Sequence, residues 1–316
     1  MSSPVTQTQT RIKPRSGWER GIDKGFIWLT RIFALAVAGI LIWIAIEVAI
    51  EASPAIQQFG TKFLFSTTWN PVNQQYGALP MIYGTVVTSA IALLIAVPVG
   101  IGVALFLSED YLPPRIQLAF VFLVELLAAI PSVVYGLWGI FVLIPILGNL
   151  GRGFNAYFGW LPIFSTPPAG PGILPAGVIL SIMILPTIAA ISRDALISLP
   201  SDLRQAAVGL GCTRWETILK VLLPAAFSGI VGAVMLALGR AIGETMAVTM
   251  VIGNSNKINP SILAPGNTIP SLLANQFAEA SGLQVAALMY AALILFGLTL
   301  LVNILAQLLV SRVQRI

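Results

Sequence analysis

The chain of 316 residues has no histidine, a single cysteine and only 9% charged residues. Without an imidazole it lacks the commonest general base and metal ligand. Its one thiol, Cys212, cannot close an internal disulfide, so zinc and redox chemistry are poorly supported. No G-x-x-x-x-G-K-[ST] segment occurs, nor any Gly-Lys dipeptide, and the chain therefore has no phosphate-cradling nucleotide loop of its own. The scarcity of charge also excludes an ordinary soluble domain, in which about 25% of residues are charged.

Apolar residues fill the space, at 57% of the sequence and a mean hydropathy of +0.91. Charge-poor runs of about 20 residues or more are long enough to cross a hydrocarbon core as helices. Six can be marked off: Phe26 to Ile50, Ile82 to Leu107, Ile116 to Leu147, Ile173 to Ser192, Ala225 to Ile252 and Leu283 to Val310. They predict an all-α integral membrane protein with six transmembrane helices. The "ALAVA" at 34–38 could be taken for a signal-peptide cleavage site, but the apolar run continues to Ile50, too long for a signal core, and a retained first helix is the simpler account.

Orientation follows from Lys and Arg, which favour cytoplasmic loops. With both termini cytoplasmic, twelve basic residues fall inside, three (Lys62, Arg152 and Lys257) fall outside, and Arg31 and Arg240 lie within spans. The +5 net charge is thus a topological signal and requires no nucleic-acid partner. One inner loop, "SEDYLPPR", runs against the trend with Glu109 and Asp110 outweighing Arg115.

Residues 1–25 read as a polar cytoplasmic segment, 26–80 as the first helix and an outer loop, and 81–312 as the transmembrane core. The outer loop carries Trp69 and Tyr76, expected as interfacial anchors, and two further outer loops follow, the last from Gly253 to Gly282. The inward connection 193–224 has helical patterning. Ala206, Ala207 and Gly211 give it a small-residue surface that another protein can approach closely, or one that packs on lipid headgroups.

In that connection, "QAAVGLG" is followed nine residues later by "VLLP". It resembles the Glu-Ala-Ala coupling motif of bacterial ABC-importer permeases, with Gln205 in the position of the Glu, so that hydrogen bonding is kept and a charge is lost. "AIPSVVYGLWGIFVL" and "GRAIGETMAVTMVIGN" narrow the resemblance to PstC-type permease subunits of phosphate importers, over roughly residues 80 to 310. The resemblance implies a type I ABC-importer permease fold in the bacterial inner membrane, moving inorganic phosphate inward. It implies as partners a homologous PstA-type permease, two PstB-type ATP-binding subunits and an external PstS-type phosphate-binding protein. ATP and Mg would sit on those partner subunits, with no cofactor and no catalytic residue on this chain. Gln205, Ala206, Ala207 and Gly211 become the ATPase-coupling candidates. A permease for another oxyanion of the sulfate or molybdate class, or a phosphate-sensing scaffold, are the alternatives; an intramembrane enzyme finds no support among the residues.

Two ionisable residues interrupt "LALGRAIGETMAVTMVIG": Arg240 and Glu244. On a continuous helix they share a face, which must turn away from lipid. They are either a neutralised structural pair or part of a phosphate path, in which the guanidinium fork binds oxyanion oxygens and the carboxylate accepts from a P–OH group that sulfate lacks. Glu125 shares a predicted helical face with Ala129, Ser132 and Gly136, and this stripe is a packing surface or a second part of the path. Thr85, Thr88, Thr245 and Thr249 either line an anion path or bond their own helices.

Overall fold

The computed structural model describes residues 17–109, 111–168 and 170–313. The predicted segment before residue 17 and the acidic position 110 lie outside the described residues. The elements are α1 (Gly17–Phe59), α2 (Leu79–Ser108), α3 (Pro114–Ala128), α4 (Ser132–Phe158), α5 (Ile173–Ile197), α6 (Ser201–Gly209), α7 (Arg214–Gly243), α8 (Met246–Val251), α9 (Ile269–Gln276) and α10 (Leu283–Val313). Six of them, α1, α2, α4, α5, α7 and α10, are long and apolar enough to span a membrane. Among the described residues the only β-pairing is an isolated bridge between Asn70 and Gln75. The part of α1 up to Ile50 is a unit by itself, a helix with apolar side chains such as Phe33, Leu35 and Trp43 exposed along its length.

From Glu51 onward the chain forms a second unit, built around the α2–α5 contact. Ala92, Ala96, Gly100 and Ala104 recur every four residues on one face of α2, and all are buried. Small residues at this spacing let two membrane helices approach through their backbones. The approach is close enough that a Cβ on Gly100 would come within 2.8 Å of Ile188, and one on Gly177 within 2.6 Å of Ile91. Around this seam Ile179, Leu180, Met183 and Ile184 of α5 pack with Val248 and Val251 of α8.

Two predicted spans are broken. The run expected from Ile116 to Leu147 is divided into α3 and α4, because Pro131 has no N–H and biases Ile130 away from helix. The Leu127 carbonyl, four residues before the proline, instead accepts from the Tyr135 hydroxyl at 2.8 Å. At 15 residues α3 is too short to span, and α4 takes its place. The run expected from Ala225 to Ile252 ends as α7 at Gly243 and restarts as α8 after Glu244 and Thr245. Each of the long helices α4 and α7 also holds one π-turn, at Gly139–Leu143 and Thr217–Leu222.

The connections predicted to lie outside are structured. Trp69 and Tyr76 are not headgroup anchors: Tyr76 is buried, and both rings pack in an aromatic cluster with Phe59 and Phe63. Trp69 also donates from Nε1 to Gln276 at 2.8 Å. The stretch after α8 folds back as an insertion whose carbonyls serve the start of α5. Ile173 N–H donates to Ala264 at 3.1 Å, Leu174 N–H to Ile262 at 2.8 Å, and Gly172 N–H to Val251 at 2.9 Å. These are N–H groups that a helix start leaves without intrahelical partners.

Candidate functional site

Arg240 lies in the last turn of α7, where a cation complements the negative end of the helix dipole. It is half-buried and lines an open depression of about 570 Å³. Thr187 from α5 and Asn303 from α10 line the same depression, together with Gly232 and Gly239, which leave it unobstructed. Among the described residues no carboxylate reaches Arg240 within ion-pair distance.

Glu244 does not share a helical face with Arg240, contrary to the expectation for an unbroken span. It sits past the helix end at φ −68°, ψ 124°, and its Oε1 accepts from the Ala247 N–H at 3.2 Å. The carboxylate thus caps α8, supplying an acceptor to backbone that the break would otherwise leave bare. Irregular backbone at membrane depth persists only where protein or a polar cavity satisfies it.

The stripe predicted from Glu125 to Gly136 is divided by the Pro131 break. Glu125 and Ala129 are exposed, and Glu125 borders a crevice with Arg193 and Asp194 rather than with Arg240. Ser132 opens α4 and is half-buried. Gly136 does pack: a Cβ there would meet Met250 of α8 at 2.5 Å. Thr88, Thr245 and Thr249 donate to carbonyls of their own segments. Thr85 donates to Met81 and accepts from the Ile269 N–H at 3.1 Å, pinning the start of α9.

At the other end of α7 the coupling candidates occupy α6 and the turn after it. Gly211 has φ +80°. Its N–H donates to Val208 and that of Cys212 to Ala207, the paired bonds of a Schellman turn, which place Gly at the one position requiring left-handed backbone. Thr213 and Glu216 then form a capping box that starts α7. Ala207 is buried, and α6 packs on the π-turn of α7, so Ala207 does not belong to the small-residue outer surface predicted for it. Residues 206 and 207 are about 100° apart around a helix, and here Ala207 turns inward while the residues on either side of it face outward. Gln205, Ala206 and Gly211 do so, beside the exposed apolar side chains of Val208 and Leu210.

Residues 96–315 match the family described as the binding-protein-dependent transport system inner membrane component. A phosphate transport system permease protein PstC of Mesorhizobium japonicum is 46% identical over 298 residues, covering 92% of this chain and 91% of that protein. Its counterpart in Haemophilus influenzae is 42% identical over 308 residues, with coverage of 93% and 95%. This chain belongs to the PstC branch of that family. The PstC fold is shared with solved structures of low identity. One is a chain of a bacterial ABC transporter involved in the import of alginate, at TM-score 0.55 and 19% identity, covering 93% of this chain and 99% of that one. Another is a chain of the MetNI methionine ABC transporter, at TM-score 0.53 and 18% identity, covering 78% and 99%.

As a PstC-family permease the protein is a multi-pass membrane subunit of a larger transporter complex, and the outward face of α6 is the surface to test for partner contact. An Ala206→Trp variant is expected to keep the melting temperature of the wild-type complex while losing most ATP-driven uptake. Gly211→Ala is expected to cost about 1–2 kcal/mol through strained left-handed backbone. Thermal melts alongside uptake per assembled complex separate the two effects; normal uptake by the Ala206→Trp complex would remove α6 from the contact.

Proposed function

We propose that this chain forms half of a path for the import of inorganic phosphate, driven by ATP hydrolysis on separate subunits. The supporting observation is the placement of Arg240, a half-buried guanidinium facing an open depression with no carboxylate partner among the described residues. A charge in an apolar span is costly unless a cavity or partner uses it. Its fork of donors suits the oxygens of phosphate. Thr187 and Asn303 bring further hydrogen-bonding groups to the same depression. Glu244 does not line this depression; its Oε1 holds the start of α8. The curated PstC relatives, alike over nearly their whole length, support phosphate as the substrate.

In this reading both termini are cytoplasmic, and the basic residues around α6 mark the inner face. A PstA-type permease supplies the other half of the path, two PstB-type subunits bind ATP and Mg and one of them docks on α6, and a PstS-type protein delivers phosphate from outside. The chain binds no cofactor and catalyses no reaction; it alternates which end of the depression is open.

The test is uptake of radiolabelled phosphate into vesicles containing the complete complex and loaded binding protein. Phosphate is expected to accumulate with ATP, and excess unlabelled sulfate or molybdate to leave the rate unchanged. Uptake of sulfate or molybdate in place of phosphate would overturn the assignment.

A further inference from the structure

The short connection between α2 and α3 attracts side chains from three other segments. Its Glu109, an acid in a loop expected to be basic, places Oε1 2.6 Å from a terminal nitrogen of Arg204 in α6. The Glu109 side chain is only 6% exposed and Arg204 is 41% exposed. Two residues on, the ring of Tyr111 lies 4.0 Å from the Arg214 guanidinium, at the start of α7. Arg193 of α5 donates to the Leu107 carbonyl at 3.4 Å, and Gln117 donates to the same oxygen at 2.6 Å. Tyr111 in turn stacks on Phe106 of α2, centroids 6.1 Å apart. Below these contacts Ala104, Leu196, Ile218 and Leu222 join α2, α5 and α7 in one apolar cluster.

We propose that this connection clamps α6 to α2, with Glu109 as the positioning residue that carries a displacement of α6 into the transmembrane core. The proposal rests on α6 being the ATPase-contact helix. Besides the turns at 198–200 and 210–213, α6 packs on the π-turn of α7, and the clamp adds a charged tie from α6 to the end of α2. A carboxylate this buried differs from a surface ion pair: removing its partner leaves an uncompensated charge, so the two move together. The recipient is suited to transmission. α2 is held along its length against α5, and at its far end Gly84 and Thr85 meet Asn267 and Ile269, beyond the insertion that follows α8. One helix therefore links the α6 contact to the backbone that starts α9.

The experiment measures phosphate taken up per ATP hydrolysed by complete, reconstituted complexes carrying E109Q, R204Q or both. Each single variant is expected to lower this ratio by about fivefold or more, the range of ordinary coupling free energies. The double variant is expected to be no worse than the more severe single one, because one contact is lost in each case. A wild-type ratio in E109Q would overturn the clamp, as would single effects that multiply in the double variant. Should E109Q fail to assemble, Tyr111→Leu, which keeps the ion pair and removes the ring beside Arg214, decides on the same ratio. If wild-type complexes transport another oxyanion, the substrate assignment fails and the ratio is measured with that anion, so the two ideas fall separately.

Discussion

Replacing Arg240 with Ala is expected to lower phosphate uptake by roughly 10- to 100-fold, the equivalent of losing charge-assisted hydrogen bonds worth about 1.5–3 kcal/mol. The complex should still assemble, since Arg240 holds no salt bridge among the described residues whose loss would strand a buried carboxylate. Arg240→Lys keeps the point charge but not the planar fork, and intermediate uptake is expected. Exchanging the two residues, as Arg240→Glu with Glu244→Arg, should abolish uptake. A guanidinium at 244 cannot accept the Ala247 N–H that Glu244 now caps, and nothing basic remains at the depression. Glu244→Gln keeps an acceptor oxygen and should be milder than Glu244→Ala, which forfeits a cap worth about 0.5–2 kcal/mol. Uptake near wild type in Arg240→Ala, measured per assembled complex with radiolabelled phosphate, would take Arg240 out of the path.

The legible part of this sequence is the part written in run length and local spacing. Six apolar runs announce six membrane-spanning helices, because no other local structure satisfies the backbone in hydrocarbon. The turn after α6 is equally local: Gly211 sits where a Schellman motif needs left-handed backbone, four residues after the buried Ala207. Pro131 signalled a break that the continuous apolar run around it obscured.

What the runs conceal is where an apolar helix stops and restarts. Glu244 and Thr245 read equally well as polar residues of one continuing span, and only in the fold does the Glu244 side chain's bond to Ala247 mark the restart. Contacts between distant segments are hidden for a different reason. Thr187 and Asn303 join Arg240 only because α5, α7 and α10 converge, and Trp69 meets Gln276 across 207 residues. Glu109 left a trace in the sequence as an acid on the basic side, but its partner Arg204 is 95 positions away. Charge balance showed that something was unusual there; only the fold shows what it holds.

The strongest test of that fold is a single methyl group. Gly84 lies inside α2, where Gly→Ala on an open face improves helix propensity by about 1 kcal/mol. The opposite sign is expected here. A Cβ at 84 would lie well inside contact distance of the Asn267 carbonyl oxygen and 2.9 Å from its carbon, and both atoms are backbone. That segment cannot retreat freely. Asn267 donates to Asn256 at 2.7 Å, Gly266 N–H to Ile252 at 3.0 Å and Ile269 N–H to Thr85 at 3.1 Å. Gly84→Ala is therefore expected to cost about 3 kcal/mol or more, the upper end for overpacking a tight contact. Gly102→Ala on the same helix meets nothing within 4 Å and should be neutral or slightly stabilising. Thermal unfolding of the two purified variants gives the comparison, and hydrogen exchange at the Ile269 amide locates the damage. If Gly84→Ala melts together with Gly102→Ala and Ile269 stays protected, the insertion does not rest on α2 at this point.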